Sequence, residues 1–326
     1  MKIRILAAIA VAMAMLGAQG AAAYAGPGHD HTKSHAASRG DAIRYASAKG
    51  CPRKDGNVVP CGTWRLVSHK GEVTLLKDAQ VRALGTDGKP VDYAVAPMAV
   101  SGDGTKVAYY TKAGRLVVRT MKGGVKPLAA DALPARTNQY DVTLQLSDDG
   151  ARLAVIADRV RLFDTATGGR LGTLPKHSAF VGFSGDGQKV LVSTEGEESE
   201  VGLHVHDLSG GRLLSDTPPQ LVAANGPYAL HADGRTLAVL VGDKKVMLYD
   251  LSTGQVAGQH KIKLPKDGTV HKIDWTGGNQ VTLHVSQYGK ATRMTVLQHD
   301  VTSGATRVRD AYTILKDTFV FAACGG

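Results

Sequence analysis

The residue types in this chain that could do chemistry are few and scattered. His204 and His206 lie two positions apart, a spacing that puts both imidazoles on one face of an extended strand, where such a pair can hold a metal ion. Four carboxylates crowd Thr194-Glu195-Gly196-Glu197-Glu198-Ser199-Glu200, an oxygen-rich loop that could take Ca²⁺. Its spacing fits no known calcium loop, and a solvated acidic tip is the plainer account. His29-Asp30-His31 with His35 is a metal-scavenging cluster, but it sits in a Gly/Ser/Ala-rich stretch whose composition favours disorder. Arg39-Gly40-Asp41 is too short a match to carry weight. No Gly-x-Ser-x-Gly elbow, His-Glu-x-x-His motif or Gly-rich phosphate loop occurs. The expected cofactor complement is therefore none, with Ca²⁺ as the alternative, and no catalytic residue is assigned.

What would position these groups is an internal repeat. Ser101-Gly102-Asp103-Gly104, Ser147-Asp148-Asp149-Gly150, Ser184-Gly185-Asp186-Gly187 and His231-Ala232-Asp233-Gly234 each precede a short apolar segment, and Thr276-Gly277-Gly278 is a worn fifth copy. The turn glycines 104, 150, 187, 234 and 278 are 46, 37, 47 and 44 residues apart. A second motif keeps step, at Asp164-Thr165-Ala166-Thr167-Gly168, Asp207-Leu208-Ser209-Gly210, Asp250-Leu251-Ser252-Thr253-Gly254 and Asp300-Val301-Thr302-Ser303-Gly304, with aspartates 43, 43 and 50 apart. Asp caps turn backbone and Gly accepts positive φ, while the flanking segments alternate apolar and polar over strand lengths. Asp103, Gly104, Asp149, Gly150, Asp186, Gly187, Asp233, Gly234, Asp164, Asp207, Asp250 and Asp300 are accordingly read as structural turn residues. His206 and His299 occupy the place of Phe163 and Tyr249 in sister units, so they read as packed ring substitutes rather than ligands.

Each unit is a sheet of about four antiparallel strands, and a period in the low forties is that of a propeller blade. Six such units of about 44 residues fill Gly62 to Gly326. The fold class is all-β, a six-bladed β-propeller with four-stranded antiparallel blades. The two motifs resemble the WD40-like repeats of TolB-type bacterial exported propellers, a resemblance that covers nearly all of residues 62–326 and specifies fold far better than function. It implies that both turn motifs share one face and that the opposite face carries the binding loops: Ser68 to Glu72, Thr111 to Arg115, Thr194 to Val201, Val241 to Lys245 and Ser286 to Ala291, with the connections between blades. Those connections contain a weaker repeat, Leu133-Pro134-Ala135-Arg136, Leu174-Pro175-Lys176-His177 and Leu264-Pro265-Lys266-Asp267. Arg136, Lys176, His177, Lys266 and His271 are the candidate ligand-binding set, a basic mouth suited to a carboxylate, phosphate or acidic polymer. Solvated loop charges beside a shaping proline are the plainer account.

The chain ends on Thr318-Phe319-Val320-Phe321-Ala322-Ala323-Cys324, which reads like the innermost-strand segment Ala179-Phe180-Val181-Gly182-Phe183 and then stops. The strand that should follow is found near the start, at Thr63-Trp64-Arg65-Leu66-Val67, so one blade is shared between the N- and C-terminal segments and the ring has no open edge. That alignment brings Cys61 toward Cys324. A Cys61 to Cys324 bond would contribute about 5 kcal/mol in the chain-entropy model against about 3 for the local Cys51 to Cys61 alternative. Neither figure decides the connectivity.

Lys2 and Arg4 ahead of the apolar run Ile5 to Leu16, with small residues at Ala21-Ala22-Ala23 and Ala23-Tyr24-Ala25, form a signal-peptide layout with a core too short to span a membrane. Cleavage near Ala25 would leave a secreted or extracytoplasmic chain of formal charge +8, from +10 for the whole sequence. The expected organisation is a signal peptide over 1–25, a flexible His/Gly/Ser/Ala-rich tail over 26–50, and a single propeller over 51–326. Without a dense basic block, and with 5% aromatic residues, nucleic acid is not a partner. The expected partners are a protein or an anionic envelope ligand, for a monomer with no transmembrane segment in the mature chain. The leading functional reading is a secreted, non-catalytic binding or scaffold propeller, and the second is a lactonase-type hydrolase with a divalent metal in the channel.

Overall fold

The computed structural model describes residues 41–134, 136–196 and 200–324. The expected signal peptide, most of the expected tail and the centre of the acidic loop lie outside the described residues. Strands follow one another along the chain almost without helix. β1 (Ile43–Pro52), β2 (Val58–Ser68) and β3 (Val73–Leu76) precede a hairpin of β4 (Arg82–Leu84) and β5 (Pro90–Val95). Four complete blades follow: β6 (Met98–Val100) to β9 (Val125–Pro127), β10 (Thr143–Leu146) to β13 (Arg170–Thr173), β14 (Ala179–Phe183) to β17 (Arg212–Asp216), and β18 (Tyr228–Leu230) to β21 (Gln255–Lys261). A fifth, β22 (Thr269–Gly277), β23 (Gln280–Gln287), β24 (Arg293–Asp300) and β25 (Thr306–Thr313), leads to the final strand β26 (Thr318–Ala323). β26 pairs with β1 in the sheet order β26-β1-β2-β3, which makes the sixth blade.

The turns are built as their residue types dictate. The Asp103 carboxylate accepts from Thr105 N (2.9 Å) and Ser101 Oγ (2.6 Å), and Asp149 accepts from Ala151 N (2.9 Å) and Ser147 Oγ (2.7 Å). Glycines 104, 150, 187 and 234 then take φ of 68°, 65°, 67° and 76°, a region closed to most L residues. In the second motif, Asp164 accepts from Ala166 N and Thr167 N, and Asp300 from Thr302 N and Ser303 N. Thr165 Oγ1 donates to Gly150 O at 2.6 Å, so the two turn families meet on one face of the ring.

Apolar residues on both faces of the middle strands form six cores, one between each pair of neighbouring blades. Tyr110, Leu116, Leu153 and Phe163 share one, Leu203, Leu230, Met247 and Tyr249 another, and Tyr45, Met294, Val296 and Tyr312 a third. Because that third core joins the last complete blade to β1, the ring closes, and each of the six blades packs against a neighbour on both faces. This is why strands such as β7 (Lys106–Tyr110) are buried without alternation.

Three expectations are corrected. The repeated architecture begins at Ile43, not Gly62: β1 takes the second position of the closing blade, and Thr63–Val67, in β2, takes the third. β1 is rich in small residues because it is enclosed on both sides, with Ala46, Ser47 and Ala48 fully buried, so the composition that suggested a flexible tail up to residue 50 instead marks tight packing. The extra strand also moves Ser68–Glu72 to the face of the Asp-Gly turns, where His69 N donates to Ala42 O. Of the two disulfides the sequence left open, the structure forms Cys51–Cys61, with Cα atoms 5.9 Å apart across the β1–β2 hairpin, and not Cys61–Cys324; Cys324 is free. Cys324 stands at the opposite end of the closing blade, beyond reach of Cys61 once β1 lies between β26 and β2.

Candidate functional site

The face opposite the Asp-Gly turns collects the irregular segments. The Leu-Pro repeat makes the same bend three times there, its fourth residue left-handed each time: Arg136 at φ 61°, His177 at 61° and Asp267 at 56°. Arg136, Lys176, His177 and Lys266 are all exposed. His271, exposed near the start of β22, meets Ser286 Oγ and Tyr288 OH through Nε2, and Gln287 Nε2 donates to Lys266 O at 2.8 Å. Lys266, His271 and Tyr288 therefore form one local group on one blade. Arg136 and Lys176 stand on other blade connections, and among the described interactions none joins them to it.

Sequence reading missed two features of this face. The hairpin β4–β5 is inserted between the closing blade and the next, and its backbone is held by side chains of the following connection, Leu84 N to Gln139 Oε1 and Thr86 N to Asn138 Oδ1, both 2.9 Å. From the disulfide-bounded loop, Arg53 reaches Asp92 at 2.8 Å and lies 5.5 Å from the Tyr93 ring centre. Secondly, Tyr93, Tyr140 and Tyr288 are exposed by 52%, 47% and 66%, on a protein with few aromatic residues to spare. Spacing carries no signal for the hairpin: Asp78 to Ser101 is 23 residues, against 20 from Asp164 to Ser184 and 24 from Asp207 to His231.

At the other face the channel narrows to a cavity of about 20 Å³, room for an ordered water rather than a metabolite, lined by Gln145, Asp148, Phe183, Lys272, Asp274 and Trp275 among others. The repeat itself positions Asp148, which stands where sister turns have Gly102 and Gly185. A Cβ on Gly102 would overlap the Asp148 carboxylate, so bare glycine backbone makes the space for it. Asp274 Oδ1 receives Lys272 Nζ at 3.1 Å, and Oδ2 lies 3.8 Å from His284 Nε2. Although 23% of its side-chain surface is open to the channel, protein surrounds the group. Loss of solvation pushes the Asp274 carboxyl up to about 6, Asp148 adds to this, and Lys272 and Arg309 oppose it. Burial likewise pushes the Cys324 thiol up to about 12.

The histidine pair of β16 (Val201–Asp207) divides. His206 is buried with Nδ1 on Gly210 O, while both nitrogens of His204 are engaged by Thr194 and Ser215 hydroxyls. Among the described residues no group of three or more His, Cys, Asp or Glu is placed to hold a metal ion.

Six four-stranded sheets and six shared cores define a closed six-bladed β-propeller. No protein-family model matches the chain, and no curated protein does. Among solved structures, a protein of Agrobacterium tumefaciens assigned as TolB is similar, at 15% identity over 83% of this chain and 90% of that one, with a TM-score of 0.44. The fold assignment rests on this chain's own sheets and cores.

Proposed function

We propose that the protein is an extracytoplasmic, non-catalytic binding propeller that presents the face opposite its Asp-Gly turns to an anionic ligand or an acidic protein surface. The observation that carries this reading is the asymmetry between the faces. One is stitched by repeated side chain to backbone hydrogen bonds; the other holds an inserted hairpin, exposed tyrosines and cations on projecting bends. Tyrosine and arginine are the residues that dominate binding energy where surfaces dock, and the +10 formal charge of the whole sequence favours an anionic partner. The Cys51–Cys61 disulfide supports an oxidising compartment.

Calorimetry with sodium polyglutamate as a defined polyanion tests the reading. Binding that weakens as salt rises is expected, reduced about tenfold in a triple R136A, K176A, K266A variant, since three solvent-exposed charge contacts sum to about 1.4 kcal/mol. Arg170→Ala and Arg212→Ala, on outer strands, should leave it unchanged. Equal binding by the triple variant would overturn the assignment of this face. Hydrolysis of a lactone or ester panel by protein supplied with Ca²⁺, Mg²⁺ or Zn²⁺ would overturn the non-catalytic reading.

A further inference from the structure

The channel end beside the Asp-Gly turns is chemically unlike the rest of the ring, and the loop-face binding just described makes no use of it. Charged groups converge there from four directions. Lys272 and Asp274 come from the innermost strand β22, Asp148 from the turn between β10 and β11 (Arg152–Ile156), Arg309 from β25, and His284, almost fully buried, from β23. The Cys324 thiol, at the end of β26, feels Asp148 and Arg309 as well. Asp274 Oδ2 is buried and accepts no hydrogen bond among the described residues. A carboxylate oxygen in that state gains from a proton, whereas one in water does not.

We propose that this channel end is a proton-operated charge switch, in which uptake of one proton by Asp274 removes one of the two carboxylates that face Lys272 and Arg309 and shifts the cavity by one unit toward positive charge. In the ionised state two carboxylates face two cations, and Lys272 is held at 3.1 Å from Asp274. Protonation removes the attraction holding Lys272 and with it the negative charge that the buried, unsolvated oxygen carries. Trp275 walls the same cavity and stacks edge-on with His231, ring centres 4.6 Å apart. His231 is thus a second titratable group near the tryptophan and must be separated from the first.

The experiment is a carboxyl-carbon NMR titration of full-length protein labelled at aspartate, with Asp274→Asn to assign the resonance and His231→Asn as a control. One carboxyl is expected to titrate near pH 6, to vanish in D274N and to persist in H231N. Lys272→Met should raise that midpoint by about a further unit, because an opposing cation is gone; this reading also serves if D274N does not fold. Aspartates that all titrate below about pH 4.5, the ordinary range, or a midpoint near 6 that K272M leaves in place, would overturn the proposal.

Discussion

Asp148 and Asp274 carry the information that distinguishes the ends of the channel, and they were unequally visible. Asp148 could have been noticed as a departure from its sister turns, a carboxylate where two copies have glycine. Asp274 could not: in an alternating strand it reads as a solvent-facing residue, and only the closing of the ring turns that face inward. Its effect on stability follows from linkage. The folded carboxyl titrates near 6 against an ordinary 3.8, so the folded state holds a proton that the unfolded chain has released across that window. The contribution of Asp274 to stability should therefore be most favourable at the acidic end, fall as pH rises from about 4 to about 6, and stay reduced above, the cost reaching about 3 kcal/mol at most. The aspartates whose carboxyls are held low, such as Asp233 and Asp310, act with the opposite sign at lower pH. Urea unfolding of the wild type and Asp274→Asn across this range provides the check. The variant is expected to be the more stable of the two at pH 7 and to show a flatter profile.

β1 is the element on which closure depends. Arg44, near its start, makes a two-pronged contact with Asp310 of the preceding blade, Nε to Oδ2 at 2.9 Å and Nη2 to Oδ1 at 3.1 Å, and lies 5.0 Å from the Tyr312 ring centre. Tyr312 in turn stacks on Tyr45, ring centres 5.4 Å apart. Side chains of this pair are 19% exposed, enough protection for a charge-assisted bond to be worth more than a surface ion pair. Arg44→Ala is expected to cost about 2 kcal/mol, lowering the urea midpoint with the slope unchanged. Arg170→Ala, which breaks an exposed pair with Asp131, should cost under about 0.5 kcal/mol. The strand escaped notice because alanine, serine and glycine are poor strand indicators; Ile43 and Tyr45 alternate correctly, but the small residues after them are explained only by what packs against them.

For the molecule as a whole, six cores between six blades mean that no blade is stable by itself and that the ring is finished by its last strand. Ending the chain after Asp317 would remove β26, strip the pairing from β1 and take Phe321 out of the core beneath Tyr45. The truncated protein is expected to lose its cooperative melting transition or to self-associate through the opened edge, as read by calorimetry and size-exclusion chromatography. A monomer that melts like the full chain would show that closure is not what holds the ring. By itself the sequence determined the number of blades, the antiparallel sheets and the position of nearly every tight turn, because those follow from local chemistry: Asp capping, glycine at positive φ, and alternation within a few residues. Only the tertiary structure decided which N-terminal strand seats against β26, that Cys51 rather than Cys324 bonds to Cys61, and that Asp274 lines the narrow end of the channel. The seating of β26 and the surroundings of Asp274 depend on groups far apart in the chain, as does the contact of Arg44 with Asp310 across 266 residues, and a repeat pattern says nothing about such partners until the ring brings its two ends together.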